Sequence, residues 1–274
     1  MKKYIIYILL LFFSTELYSQ DFENKFIEQN QVIDTMLLRI KYDFRFMVCP
    51  RIEKMPNIDS LYLEIGCSSV HSYVQSERDL DIKIETTFAK TGKRKSITGK
   101  WYAKIGEIYH NFPENKITVL TGMDIAGVFR HIEPIPDFNW QVTNEKKKIL
   151  RYSCQKATCS FRGRDYEAWF TTDIPFSYGP WKFRGLPGLI LEVKDTKGEY
   201  VFVCKGVEKP KGKHITYWNR KYTDCDRKFM LKHQRILCKK PVTYMSGYGD
   251  MKYTNKGPIK DEEWGYDPNP IEKE

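Results

Sequence analysis

Apolar and polar residues alternate from residue 37 to residue 48, and this is the clearest structural signal in the chain. Every second position is apolar, in the order Leu38, Ile40, Tyr42, Phe44, Phe46, Val48. A period of two directs successive side chains to opposite faces of a β-strand. The stretch therefore predicts a strand with one buried face and one wet face, and residues 61–65 and 70–74 predict two shorter strands.

The middle of the chain predicts three hairpins and one further strand at residues 127–133. The predicted strand pairs are 105–111 with 117–120, 149–161 with 164–171, and 189–193 with 200–207. Gly163 and Gly198 stand in two of the turns, where glycine supplies the positive φ of a tight reversal. Strands so closely spaced favour one antiparallel sheet, bent into an open barrel or folded as a sandwich.

Helical signals are fewer. Residues 76–90 are ambiguous, because apolar residues alternate there while the charge density is typical of a helix. One helix is predicted over residues 225–239, with Asp224 as its N-cap and Pro241 ending it.

The resulting fold class is mainly β (β-rich α+β), an antiparallel curved sheet with one C-terminal helix. Residues 20–240 contain no convincing linker, so we expect a single domain there. Glycine and proline are frequent from residue 241 to residue 274, which predicts an irregular tail.

The N-terminus has the form of a secretory signal peptide. Lys2 and Lys3 precede an apolar run that ends at Phe13, and Ser19 is a small residue at the cleavage position. The run is short for a membrane span. We therefore expect residues 1–19 to be removed and the protein to reach the periplasm or cell surface of a Gram-negative bacterium.

Composition and charge narrow the classes of protein. Apolar residues make up 41% of the chain, which excludes a disordered protein, and 45 Lys+Arg against 35 Asp+Glu give a formal charge of +10. Nucleic acid is not expected as a partner of an exported protein. The basic clusters protect sheet edges, or they form a rim that meets anionic envelope lipid.

The chain has seven cysteines, and an odd number leaves at least one thiol unpaired. A disulfide between Cys49 and Cys67 is our first expectation, because both follow strand-like runs. Several buried free thiols are the alternative. The sequence has no C-x-x-C, which removes the usual signature of a redox motif or a zinc ribbon.

Signatures of catalysis are missing from the sequence. It contains no H-E-x-x-H, G-x-S-x-G, G-x-x-x-x-G-K-[ST] or G-x-G-x-x-G. Its five histidines are widely spaced, so we expect no metal and no cofactor. Asp137, Asp165, Asp173 and Asp195 lie near aromatic segments, but solvated turn residues explain them better than a catalytic pair.

The densest pattern lies between residues 175 and 193. Leu186-Pro187-Gly188-Leu189 fits a type II turn, in which proline fixes φ at the second position and glycine takes a positive φ at the third. Gly185 has no side chain, so the backbone there can closely approach another strand or a ligand. A tight corner that leads into a strand explains these residue types better than a binding loop.

The hexapeptide Gly185, Leu186, Pro187, Gly188, Leu189, Ile190 resembles the name-giving motif of the GLPGLI family of exported Gram-negative proteins. The segments 138–140, 152–158, 161–164 and 168–175 resemble the family's preceding blocks, and residues 269–272 resemble its ending. The resemblance implies work in the cell envelope beside outer-membrane transport systems. It implies no activity and no catalytic residues.

We expect a non-enzymatic binding module for an apolar, lipid or peptide ligand. The residues expected to line its site are Trp140, Trp169, Tyr178, Trp181, Phe183. A structural partner of an outer-membrane receptor or transport system is one alternative. An envelope hydrolase with an unrecognised carboxylate or histidine site is the other.

Overall fold

The structure is a computed structural model that describes residues 30–93, 102–248, 260–261 and 265–273. The expected signal peptide lies outside these residues. Within the described ranges, no helix is both long enough and apolar enough to cross a membrane.

The described residues contain one sheet of 13 strands. The strands are β1 (Gln31–Phe46), β2 (Asn57–Gly66), β3 (Val70–Val74), β4 (Glu107–His110), β5 (Lys116–Gly122), β6 (Val128–Pro134), β7 (Gln141–Ile149), β8 (Tyr152–Phe161), β9 (Arg164–Thr171), β10 (Leu189–Asp195), β11 (Tyr200–Glu208), β12 (His214–Tyr217) and β13 (Thr223–Asp224). Their order is β13-β6-β5-β4-β3-β2-β1-β11-β10-β9-β8-β7, and β12 pairs with the start of β1.

The predicted fold class is confirmed, because the protein is mainly an open antiparallel sheet with few helices. All three predicted hairpins form, as β4–β5, β8–β9 and β10–β11. The alternating stretch is the central strand β1, whose even-numbered side chains from Met36 to Phe46 are buried. Only β13 departs from the antiparallel pattern among the described strands, since it runs parallel to β6.

The helices differ from the prediction in their number and in where they begin and end. The ambiguous residues form a helix, α1 (Gln75–Thr91), and the predicted C-terminal helix is α2 (Arg227–Lys239). The N-cap of α2 is Asp226 and not the predicted Asp224. Oδ1 of Asp226 accepts a hydrogen bond of 2.7 Å from the N–H of Phe229. Pro241 begins a further helix, α3 (Pro241–Ser246), so the tail does not become irregular there. A 3-10 turn, Asp124–Ala126, precedes β6.

The sheet is curved so strongly that its two halves meet. Arg162, in the β8–β9 turn, places Nη2 2.7 Å from Oε2 of Glu133 on β6, although many strands separate β6 from β8 in the sheet order. Residues 172–188 pass between the halves on their way from β9 to β10. Trp181 and Phe183 in this segment are buried, and the Phe183 ring packs edge-on against Phe202 of β11.

The expected Cys49–Cys67 disulfide is wrong, because all seven cysteines of the structure are free. Phe46 pairs with Asn57 at one end of the β1–β2 hairpin, and Met36 pairs with Gly66 at the other end. Cys49 follows β1 and Cys67 follows β2, so the two thiols lie at opposite ends of the hairpin. A strand of this length separates its ends by roughly 30 Å, far beyond the reach of a disulfide.

Candidate functional site

The last described residues, 265–273, lie in a groove of the sheet that is lined with hydrogen-bonding side chains. The N–H and the side-chain amide of Asn269 donate to carbonyl oxygens that follow β1, at 2.9 Å each. The hydroxyl of Tyr200 donates to the carbonyl of Asn269 at 2.6 Å, and that of Tyr166 donates to the carbonyl of Ile271 at 3.0 Å. The end of the segment, Ile271 and Glu272, is therefore part of the interior, while Asp267 stays exposed.

Arg164 fixes the start of this segment. Its Nη2 donates to the carbonyl of Pro270 at 2.8 Å, and its Nη1 lies 2.7 Å from Asp195 and 2.8 Å from Glu199. Asp195 was expected to be a solvated turn residue, but it is buried. Its ion pair with Arg164 compensates the charge and so permits the burial. A guanidinium presents several donors in a fixed plane, which suits this shared role.

Five charged side chains form an ion-pair network beneath the segment. Nζ of Lys182 lies 2.6 Å from Glu133 and 2.5 Å from Glu272, and all three side chains are buried. Arg162 bridges the same two carboxylates. Arg227, at the start of α2, pairs with the other oxygen of Glu272 at 2.6 Å.

The network keeps both carboxylates ionised. Burial raises the pKa of Glu272, but the charges of Lys182 and Arg162 outweigh burial and lower this pKa to about 2. The pKa of Glu133 is also lowered against burial, chiefly by Lys182. The network holds three cations against two carboxylates, so it carries one net positive charge and disfavours a cationic ligand, while each of its cations already contacts a carboxylate.

A cavity of about 60 Å³ lies beside this network. The C-terminal segment, α2 and the inner face of the sheet surround it. Its lining is largely apolar and aromatic and includes Ile105, Val119, Trp181, Met230, Tyr266. Polar and charged side chains also line it, among them His131, Lys182 and Glu272.

His131 on β6 is the distinctive polar group of this cavity. It lines the cavity and is only 4% exposed, yet neither of its ring nitrogens has a hydrogen-bond partner among the described residues. Burial, together with the nearby charge of Lys182, lowers the pKa of His131 to about 4. The ring is therefore neutral at physiological pH and offers one donor and one acceptor.

Unsatisfied buried polar atoms are uncommon in native structures, because each costs roughly 1–3 kcal/mol. The cavity that His131 lines is large enough for a small molecule or several waters that could pair with these two nitrogens. The arrangement therefore has the properties of a recognition group that awaits a partner.

The five aromatic residues expected at a binding site are mostly packed against one another. Trp169, Trp181 and Phe183 are buried in the main core cluster, Trp140 and Tyr178 pack against it, and Trp181 alone among the five lines the cavity. Trp169 alternates with Ala168 and Phe170 on β9, so it lies on the other face of the sheet. There the ammonium of Lys147 stands 4.4 Å from its ring centre.

The chain turns tightly at residues 185–190, but not through the predicted type II turn. The N–H of Gly188 donates to the carbonyl of Leu186 at 2.8 Å, which makes a three-residue γ-turn around Pro187. The N–H of Leu189 donates instead to Ile174 at 3.0 Å. Leu186, Leu189 and Ile190 are buried in the core.

The two glycines of the corner have different roles. Gly185 has φ of +96°, a backbone conformation that favours glycine. At position 188 only glycine fits sterically, because a Cβ atom there would lie 2.0 Å from the carbonyl oxygen of Thr171.

A second polar cluster surrounds His71 on β3. Its ring nitrogens lie 3.0 Å from Glu64 and 2.7 Å from Glu107, and Arg78 of α1 also contacts Glu107. Burial lowers the pKa of His71, but the hydrogen bonds to the two carboxylates outweigh burial and raise it. Every ring nitrogen here has a partner, so this cluster is a closed structural network.

A smaller cavity of about 20 Å³ lies next to that cluster. Glu77, Asp81 and Glu107 line it together with Arg78 and Lys104. Burial raises the pKa of Glu77 to about 7 and also raises that of Asp81, whereas Arg78 and His71 lower that of Glu107. In the described ranges, no three His, Cys, Asp or Glu side chains are grouped to hold a metal ion.

The decisive residues of the main site were missed by the sequence reasoning. His131 and Glu133 are two positions apart on a predicted strand, which places both on one face. Lys182 stands among aromatic residues, where a charged side chain predicts a buried partner. These two signals were available, but neither identifies Glu272 as the partner.

Comparisons with known proteins give little beyond the fold. A family model described as "Protein of unknown function (Porph_ging)" matches residues 162–192. No curated protein matches the chain. Two structures of PNGF-II resemble it, in space groups P21 and C2, with 17% and 18% sequence identity and TM-scores of 0.49 and 0.48. They align with 72% and 73% of this chain, which spans about a third of PNGF-II, 33% and 34%.

Proposed function

We propose that the protein is a binding module of the cell envelope that holds a small ligand in the cavity beneath its C-terminal segment. The observation that carries the proposal is His131, a buried neutral imidazole that lines this cavity and has no hydrogen-bond partner for either ring nitrogen among the described residues. Trp181, one of the five aromatic residues proposed for the site, also lines this cavity.

The lining defines the class of ligand. The network beside the cavity carries one net positive charge, which disfavours a cationic ligand, and each of its cations already contacts a carboxylate, so an anionic ligand gains little from them. A neutral imidazole pairs best with a group that both donates and accepts a hydrogen bond, such as a hydroxyl or an amide. The proposed ligand is therefore a small compound with an apolar body and one such group.

The proposed location is the periplasm or the cell surface. The signal-like residues 1–19 support export, and the hexapeptide at 185–190, inside the family match, supports assignment to the GLPGLI-type proteins. Processing is tested by producing the chain in a Gram-negative host, fractionating the cells and reading the N-terminus by mass spectrometry. A cytoplasmic protein with an intact leader contradicts the proposed location.

The ligand is sought in the same preparation. The protein is denatured, and the small molecules that it releases are compared by mass spectrometry between wild type and His131→Phe. His214 is exposed on β12 and lines neither cavity, so His214→Phe is the control. A compound released by wild type and by the control, but not by His131→Phe, supports the proposal. Equal release from all three contradicts it.

One observation favours hydrolysis as a second candidate. Glu77 has a pKa of about 7, which suits a general acid or base, and it shares the smaller cavity with the ionised Glu107. Turnover of chromogenic glycosides or peptides that disappears in Glu77→Gln supports this candidate. Turnover that persists in that variant contradicts it.

A further inference from the structure

The outer side of α2 is a surface with positive charges only. Its 13 residues, RKFMLKHQRILCK, contain no acidic side chain. Lys228, Lys232, Arg235 and Lys239 are all exposed, and their spacing of four, three and four residues places them on one side of the helix. The opposite side is buried, through Met230, Leu237 and Cys238.

Two of these four positive charges have no carboxylate partner among the described residues. Lys239 pairs with Asp267 at 2.7 Å, and both side chains are about half exposed. Lys228 and Lys232 have no ion pair with any described residue. An exposed stripe of this kind raises the local concentration of anions and repels cations.

A row of aromatic rings lies beside the basic stripe. Phe229, 40% exposed, stacks on His233 with 4.0 Å between ring centres. His233 meets Tyr244 of α3 at 5.7 Å, and Tyr244 meets Tyr248 at 5.3 Å. Tyr248 is 47% exposed, so both ends of the row reach the surface.

We propose that the α2 surface, defined as the Lys228–Lys239 stripe with Phe229 and Tyr248, docks on an anionic lipid surface. The basic stripe matches the charge of phosphate headgroups, and the exposed rings match the boundary between headgroups and acyl chains. A soluble polyanion would use the lysines but would leave the rings in water. The combination therefore favours lipid, and this inference is independent of the ligand in the cavity.

The test uses vesicles of equal parts phosphatidylcholine and phosphatidylglycerol, with vesicles of phosphatidylcholine alone for comparison. The protein is used as recovered from the host, with the same N-terminus in every variant. Lys228→Gln/Lys232→Gln removes two charges from the stripe. Lys146→Gln/Lys148→Gln removes two exposed charges from β7 and is the matched control. Thermal unfolding shows that both variants retain the fold.

Each lysine near an anionic surface contributes a factor of about five to partitioning, so the stripe variant should bind about 25-fold more weakly. The control variant should bind within about twofold of wild type, and vesicles of phosphatidylcholine alone should bind none of the proteins appreciably. Equal losses in the two variants overturn the proposal. So does binding to soluble polyphosphate without binding to the phosphatidylglycerol vesicles.

Discussion

Nζ of Lys182 lies 2.5 Å from Oε1 of Glu272, although 90 residues separate them in the sequence. One stands in the segment between β9 and β10, and the other stands two residues before the end of the chain. Both are buried, so the contact makes the C-terminal segment a part of the core. It also places that segment over the cavity that His131 lines.

Glu272→Gln should destabilise the protein by about 3 kcal/mol, because it leaves Lys182, Arg162 and Arg227 with one carboxylate among them in a buried setting. The measurement is the free energy of unfolding in urea. Asp267→Asn is the control, since Asp267 is exposed and its ion pairs with Arg51 and Lys239 are screened by water. Equal effects of the two substitutions would show that the buried network adds nothing specific.

Gly188→Ala should cost a few kcal/mol, because the added methyl group would meet the backbone of Thr171, which has no rotamer with which to move aside. Gly206→Ala is the matched control, since nothing lies within 4 Å of a Cβ atom at that position of β11. The control should change the free energy of unfolding by no more than about 0.5 kcal/mol. A Gly188→Ala protein as stable as the control contradicts the close approach.

Ten of the 13 described strands were predicted because a local signal marks each of them, whereas β7, β12 and β13 were not predicted. Alternation identified β1, and turn glycines such as Gly163 and Gly198 identified two hairpins. Residues 76–90 remained ambiguous, because their alternating apolar residues and their dense charge point to different elements. In the structure these residues form α1, which packs against β2 and β3. Only Ile84 of α1 is fully buried.

The site was much less predictable, because its residues come together only through the curvature of the sheet. His131 and Glu133 come from β6, Lys182 from the segment after β9, and Glu272 from the C-terminus. No local sequence pattern predicts contacts between residues that lie so far apart in the chain. The aromatic residues could not be assigned for the same reason. A cluster of large rings is typical both of a ligand-binding wall and of a hydrophobic core.

The pH dependence of stability should carry a contribution from His131. Its pKa is about 4 in the folded state against about 6.5 unfolded, so the unfolded chain binds more protons between these values. Stability is therefore lost as the pH falls through that window. From pH 7 to about pH 4.5, His131→Gln should lose about 2 kcal/mol less than wild type. Urea unfolding at the two pH values measures this, and an identical loss in both proteins contradicts a neutral buried imidazole.

The state of the cysteines gives a prediction that is independent of the site. Mass spectrometry after alkylation in denaturant should find seven free thiols, and a reducing agent should leave the midpoint of thermal unfolding unchanged. In the native protein Cys67 should react first, because it is the exposed thiol, while burial raises the pKa of Cys154 to about 11 and of Cys159 to about 12. A midpoint that falls on reduction would reveal a disulfide and contradict the structure.

The most direct test of the ligand cavity is a titration followed by NMR of the histidine ring nitrogens. N-methylacetamide and 2-propanol serve as probes, because each carries a small apolar body and a group that donates and accepts a hydrogen bond. The account predicts a saturable change at the two nitrogens of His131, with no change at the exposed His214. Signals of His131 that do not respond to either probe, or that change only in parallel with those of His214, contradict it.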